Sequence, residues 1–248
     1  MALPDTLLTR LIEVVKENDL RGRFVMLGRQ RWVGTRKGTA AKLFQQALET
    51  YLPGVSEEDL RNPDDIYSER FFEVLGFSPV ESLDYSDFEG ASIIQDLTKD
   101  VPDTLRGQFD VVYDGGTCEH IFDLPKAYRN IHALLKPGGV LIGHSPCNNW
   151  INHAFYQISP EMVYGHWEKA MGYAVLELSL QPLLPNFADW VARTTNPNVT
   201  GKRPRIKGKL PKHSPIILTY AVRKPLVGRA GGSGTYQTDY VGKWTSDA

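Results

Sequence analysis

The sequence predicts an α/β fold, with a mainly parallel sheet, helices on both faces and an antiparallel last strand. Three observations carry this. Short apolar runs alternate with stretches of helical period, the signature of strands joined by helical crossovers. Three of the runs close on an aspartate with turn residues, in "VESLDYS", "ASIIQDL" and "FDVVYDGG". The last two runs, "YAVLELSLQ" and "SPIILTYAVRK", follow one another with no helical pattern between them, which suits an antiparallel pair at the sheet edge.

Taken in order, Asp5 is placed to cap a helix whose apolar face is Leu7, Leu8, Leu11, Ile12 and Val15. "RFVML" is the opening strand. "KGTAAKLFQQALETYL" is rich in helix formers, Leu60 to Tyr67 reads as loop, and "SERFFEVLGF" as a short helix stopped near Gly76. Between Leu124 and Leu135 the apolar positions Leu124, Ala127, Tyr128, Ile131, Leu134 and Leu135 share one helical face. Pro125 suits that helix's first turn, and Pro137-Gly138-Gly139 ends it before the strand "VLIGHSP". Ser159 and Pro160 open a further helix that runs to about Met171.

The 248 residues suit one large domain, assigned here to residues 1–226, with residues 227–248 as a tail. That tail has a Gly/Ser-rich start that permits disorder, then aromatics. Charged residues are 23% of the chain and the net charge is −1, so overall charge gives no argument for nucleic acid or membrane. No apolar run approaches the roughly 18–20 residues that span a bilayer. The acidic start lacks a signal peptide's pattern, and Cys118 and Cys147 have neither metal nor redox spacing. A cytoplasmic setting is the expectation.

In open α/β sheets, ligands bind beyond the carboxyl ends of the strands. Five such ends are Gly28, Asp84, Asp96, Asp114 and His144. An aspartate at a tip can accept hydrogen bonds from a ribose or an amine, although it also forms turns well.

The stretch "FDVVYDGGTCEHIFDLPKAYRNIHALLKPGGVLIGHSP" resembles the fourth-to-fifth-strand region of class I S-adenosylmethionine-dependent methyltransferases. The matching points are Phe109-Asp110, Cys118-Glu119-His120 and Leu135-Lys136-Pro137-Gly138-Gly139. The fold-level likeness runs from about Arg23 to Lys224. A bacterial methyltransferase-like group shares the "LGRQ" turn and the segment that appears here as "HAFYQISP". The resemblance implies a Rossmann-like methyltransferase fold with S-adenosyl-L-methionine as cofactor. It assigns Asp84 to the ribose hydroxyls, Asp96 and Leu97 to the adenine, and Asp114, Gly115 and Gly116 to the methionine portion.

Two departures stand out. The first-strand motif of the family has an acid, then three spaced glycines; here only Gly28 remains, with Met26, Gln30 and Trp32 at the other places. Arg29 or Gln30 could serve the methionine end with side chains. Only Tyr85 to Ala91 separates the second and third strands, too few for a full crossover helix.

On the acceptor side, "HSPCNNWINHAFYQIS" sets polar groups among aromatics, the composition of a small-molecule pocket. The candidate substrate contacts there are His144, Asn149 and Tyr156; the resemblance adds Glu119 and His120 at the border of the substrate pocket, and His120 and His153 are the candidate bases, since imidazole titrates near neutrality. An insertion, residues 182–213, is expected to roof the active site. Its basic end, "KRPRIKGKLPK", with Arg203 and Arg205, suggests an anionic acceptor. The expected function is methyl transfer to an oxygen or nitrogen of a small molecule, such as an anionic sugar or a secondary metabolite. The alternative is a non-catalytic methyltransferase-like binding or scaffold protein, which the missing glycines favour. No standard metal-ligand spacing is present, the basic run lacks the aromatic interleaving of a nucleic-acid binder, and the oligomeric state is left open.

Overall fold

The computed structural model describes residues 2–34, 38–228 and 234–246. Lys37, at the start of the second expected helix, lies outside them, as do residues 229–233 and 247–248 of the tail. Eleven strands and six α-helices are described: β1 (Ala2–Leu3), α1 (Asp5–Glu17), β2 (Gly22–Leu27), β3 (Arg31–Trp32), α2 (Gly38–Tyr51), α3 (Glu69–Leu75), β4 (Phe77–Asp84), β5 (Ile93–Ile94), β6 (Phe109–Asp114), α4 (Leu124–Leu134), β7 (Leu135–Asn148), β8 (Ala174–Pro182), β9 (Ala192–Thr194), α5 (Pro197–Thr200), β10 (Ile206–Lys207), β11 (Ile216–Arg223) and α6 (Thr238–Ser246). A π-wound helix spans Met162–Ala170.

Nine strands form one sheet in the order β10-β9-β8-β11-β7-β6-β2-β4-β5. From β7 to β5 every neighbour pair is parallel, so the tips of β2, β4, β5 and β6 point to one side. β11 runs antiparallel to both β7 and β8, which is the expected reversal at the end of the chain. The insertion then does something the sequence did not signal. Its middle adds β9 and β10 outside β8 as antiparallel strands, so the β8–β11 pair is not the sheet edge. Rather than roofing the parallel tips, that middle lengthens the sheet on the side farthest from β2.

Alternation along the central strands sorts the core into two layers, because successive side chains leave a strand on opposite faces. Phe24, Met26, Val111, Tyr113, Val140 and Ile142 face α1, α2 and α3. Val25, Leu27, Val112 and Leu141 face α4 and the π-wound helix, where Tyr128 and Trp167 are buried. Phe24 is fully buried and stacks on Phe72 at 4.3 Å; burying a ring of that size contributes about 2–3 kcal/mol. At α1, Pro4 rather than Asp5 takes the cap position, and its carbonyl accepts from the amides of Leu7 and Leu8. Asp123 caps α4, accepting from the Lys126 amide, with Pro125 in the first turn.

The described part of the tail is ordered structure. Thr238, at the start of α6, donates from its backbone amide and hydroxyl to the Glu161 carboxylate, and Arg203 pairs with Asp239. Residues 235–237 wall a cavity of about 550 Å³ together with Leu124 and Pro125 of α4 and Met162, Gly165 and His166 of the π-wound helix. No helix among the described residues is long and apolar enough to cross a membrane.

Candidate active site

The site begins where β2 ends. Gly28 has φ +67°, a left-handed backbone that favours glycine, and its amide donates to Leu83 O of β4. A Cβ there would lie 3.0 Å from Thr117 Oγ1, the hydroxyl that donates to Leu27 O at 2.7 Å. Thr117, which no sequence motif marks, thus ties the loop after β6 to the tip of β2. Among the described residues a helix, α2, begins only at Gly38, ten residues after Gly28. The chain first makes β3, pairing it with β1, and Trp32 enters the core against Phe44 and Phe71.

Gln30 fills the space the missing glycines would leave. It is fully buried, and its Nε2 donates to Leu27 O and Gly28 O, both at 3.1 Å. Its Oε1 has no partner and lies against Gly115, where a Cβ would come within 2.8 Å of it. Arg29 turns elsewhere: it pairs with Asp65 and Glu69, donates to Glu89 O, and sits 3.8 Å over the Tyr67 ring. Together with the Arg31–Glu89 ion pair, it staples the short β4–β5 connection to the first loop. That connection holds no helix, as its length required.

Two cavities flank the segment Gly115–His120. The first, about 350 Å³, is lined by Asp84, Tyr85, Asp96, Leu97, Thr98, Thr117, His120 and Phe122 among others. Asp84 Oδ1 accepts from the Tyr85 amide. Asp96 Oδ1 accepts from the amide and hydroxyl of Thr98, which hold its carboxyl below the usual range. The second, about 360 Å³, lies between Gly115, Gly116, Glu119, His144, Trp150 and His153, and is closed by Pro4, Leu7 and Leu183. Leu183 comes from the start of the insertion expected to roof the site, and Leu7 from the apolar face of α1; Pro4 carried no signal in the sequence.

Asp114 is fully buried; its Oδ1 accepts from the amides of Gly116, Thr117 and Cys118, which shapes the loop, while Oδ2 has no partner. Glu119 is 1% exposed; burial, reinforced by Asp114, pushes its carboxyl up to about 8. Its Oε1 lies 3.6 Å from His153 Nε2 and 4.0 Å from His120 Nε2, so the two candidate bases share a carboxylate neighbour that sequence alone did not reveal. Burial and the facing His153 push His120 down.

Other expected contacts fall outside both cavities. Asn149 donates to Lys212 O and Ser214 O, a clamp on the end of the insertion. Tyr156 donates to Phe122 O and lines the cavity under the tail instead. Arg203 is paired with Asp239, and the Arg205 amide donates to Thr195, at the outer strands.

His144 does face the second cavity. Its Nδ1 lies 2.9 Å from the Tyr113 hydroxyl, and burial pushes the imidazole down to about 3. An unfolded histidine titrates near about 6.5, so the unfolded chain accepts a proton that the folded one refuses. This contribution to stability is complete above about pH 6.5 and is lost as pH falls toward about 3. Urea unfolding midpoints measured between about pH 7 and about pH 4 should fall with pH, and His144→Gln should flatten that limb.

Residues 33–194 match the family model for a methyltransferase domain. The chain belongs to that family. This methyltransferase uses S-adenosylmethionine, the cofactor its fourth-strand motif implied. It is similar to solved structures at low identity. One is the methyltransferase CalH in complex with S-adenosylhomocysteine, at 15% identity and TM-score 0.43, covering 87% of this chain and 55% of that one, so this chain spans about half of its length. Another is the N-methyltransferase NodS from Bradyrhizobium japonicum with S-adenosylhomocysteine, at 13% identity and TM-score 0.43, covering 88% of this chain and 85% of that one. A third is a Burkholderia thailandensis 1,6-didemethyltoxoflavin-N1-methyltransferase, at 13% identity and TM-score 0.43, covering 89% of this chain and 80% of that one. Among curated proteins none matches.

The methyltransferase's residues fit the cofactor. Asp84 and Asp96 sit at one cavity, at successive tips, where hydroxyl and amino donors need acceptors. Gln30 Oε1 and Asp114 Oδ2 are buried acceptors without donors, and a buried acceptor left unpaired is costly. Both residues are fully buried and line neither cavity, so the fit to the cofactor rests on Asp84 and Asp96.

Proposed function

We propose that the chain transfers a methyl group from S-adenosylmethionine to an oxygen or nitrogen atom of a small molecule held in the second cavity. The observation that carries this reading is the pair of cavities on either side of Gly115–His120. One holds the acidic strand tips; the other has a Trp150 wall with Glu119, His144 and His153 at its polar side. In this reading Asp84 accepts from the ribose hydroxyls, Asp96 and Leu97 border the adenine, and Asp114 shapes the Gly115–Gly116 turn beside the methionine portion. The bound cofactor supplies an electrophilic methyl on a sulfonium sulfur. The chain's contribution is to hold an acceptor lone pair in line with it, since orientation alone removes much of such a barrier. His153 and His120, beside Glu119, are the groups that can take up the acceptor's proton.

Arg203 and Arg205 do not line the second cavity, which removes their support for an anionic acceptor, so alcohols, phenols and amines are the classes to try. Gln30 filling the glycine space favours the second reading, a non-catalytic binding protein. Calorimetry with S-adenosylhomocysteine, followed by transfer of labelled methyl groups to a panel of those acceptors, separates the two. Binding with transfer is expected; no binding under any condition would favour the non-catalytic protein.

A further inference from the structure

Glu119, His120 and His153 each offer one ligand atom, and these three atoms lie within 4.8 Å of one another. The gaps from Glu119 Oε1 to His153 Nε2 and His120 Nε2, 3.6 and 4.0 Å, are too long for hydrogen bonds. They are close to the separation of two ligands on one ion. Donors each about 2.1 Å from a tetrahedral centre sit roughly 3.4 Å apart. Glu119 Oε2, buried and without a partner, makes the carboxylate costly unless something positive or a proton compensates it.

The backbone brings the three groups together. The amides of Phe155 and Tyr156 both donate to Glu119 O, and the His153 amide donates to Trp150 O. His153 is thereby held with its ring 4.6 Å from Trp150 and 4.9 Å from His120. Two imidazoles and one carboxylate suit zinc, cobalt or ferrous iron rather than magnesium or calcium, which favour all-oxygen sites. Three protein ligands leave a position open, and Glu119 and His153 line the second cavity.

We propose that Glu119, His120 and His153 bind a divalent transition-metal ion whose open position takes an oxygen of the acceptor. Its catalytic role rests on the reading of the second cavity as the acceptor site; the binding itself does not. With the ion present the two imidazoles are ligands rather than bases. Coordination lowers the pKa of the acceptor hydroxyl, and its proton passes to water. The oxygen lone pair then forms the bond to the methyl carbon, and the electrons of the breaking carbon–sulfur bond remain on sulfur.

The test is titration of the chelator-stripped protein with Co²⁺, read by its visible absorption bands, and with Zn²⁺ by calorimetry. A single ion per chain is expected, with Glu119→Gln, His120→Gln and His153→Gln each weakening it by about tenfold or more. His120 and His153 are partly exposed, so their variants should keep the metal-free melting temperature even if Glu119→Gln does not fold. Absence of cobalt bands and zinc heat, or binding unchanged in the folded variants, would overturn the site. Metal binding without any S-adenosylhomocysteine binding would instead fail the methyl-transfer reading and leave the metal site standing.

Discussion

Asp84→Ala should weaken S-adenosylmethionine and S-adenosylhomocysteine binding by about 30- to 100-fold, roughly 2–3 kcal/mol, while the melting temperature stays close to that of the parent protein. The size of the loss follows from the charge of the acceptor, because hydrogen bonds to an ionised group are about twice as strong as neutral ones. The selectivity follows from position. Asp84 is only partly buried, its Oδ1 is engaged by the neighbouring Tyr85 amide, and nothing in the core depends on its side chain. Asp84→Asn keeps the shape without the charge and should fall between the two. Calorimetry on both variants checks this, and unchanged affinity in Asp84→Ala would remove Asp84 from the ribose role.

Gly143→Ala carries the largest expected effect on stability, about 3 kcal/mol in chemical denaturation. Gly143 lies opposite Tyr220 in the β7–β11 ladder, and a Cβ there would fall 2.1 Å from Tyr220 Cζ. The tyrosine is 1% exposed, so its ring has no open space to retreat into. The double variant Gly143→Ala/Tyr220→Ala should be less destabilised than the two single effects added together, since the clash disappears with the ring. Additive losses would show that the contact is not what makes Gly143 necessary.

The parallel core was legible because each of its strands is a short apolar run with a turn at its end. Phe24, Val25, Met26 and Leu27 are continuous hydrophobic sequence because both faces of β2 are covered. The outer strands were not legible. β9 and β10 have three and two residues, lie among charged positions, and exist only because β8 offers an edge to pair with. In the site, Asp84, Asp96 and Leu97 follow successive strands and the family resemblance grouped them, and they share one cavity; His120, expected on the acceptor side, lines that same cavity. The Glu119–His153 approach was not legible, because it depends on how the loop after β7 folds back to donate to Glu119 O. From sequence, Gln30 could serve either the methionine end or its own loop; its amide nitrogen donates to Leu27 O and Gly28 O, a choice that only the folded loop decides.

The two ends of the sheet are both two-residue strands, β5 and β10. An open strand edge is a template for pairing with another chain, and short, positively charged edges resist it. Arg205 and Lys207 lie on or beside β10, and Lys202 and Lys209 flank it, all exposed. Two β10 edges brought together would set like charges side by side. The basic run that suggested a negatively charged acceptor thus discourages two nine-strand sheets from joining through their β10 edges.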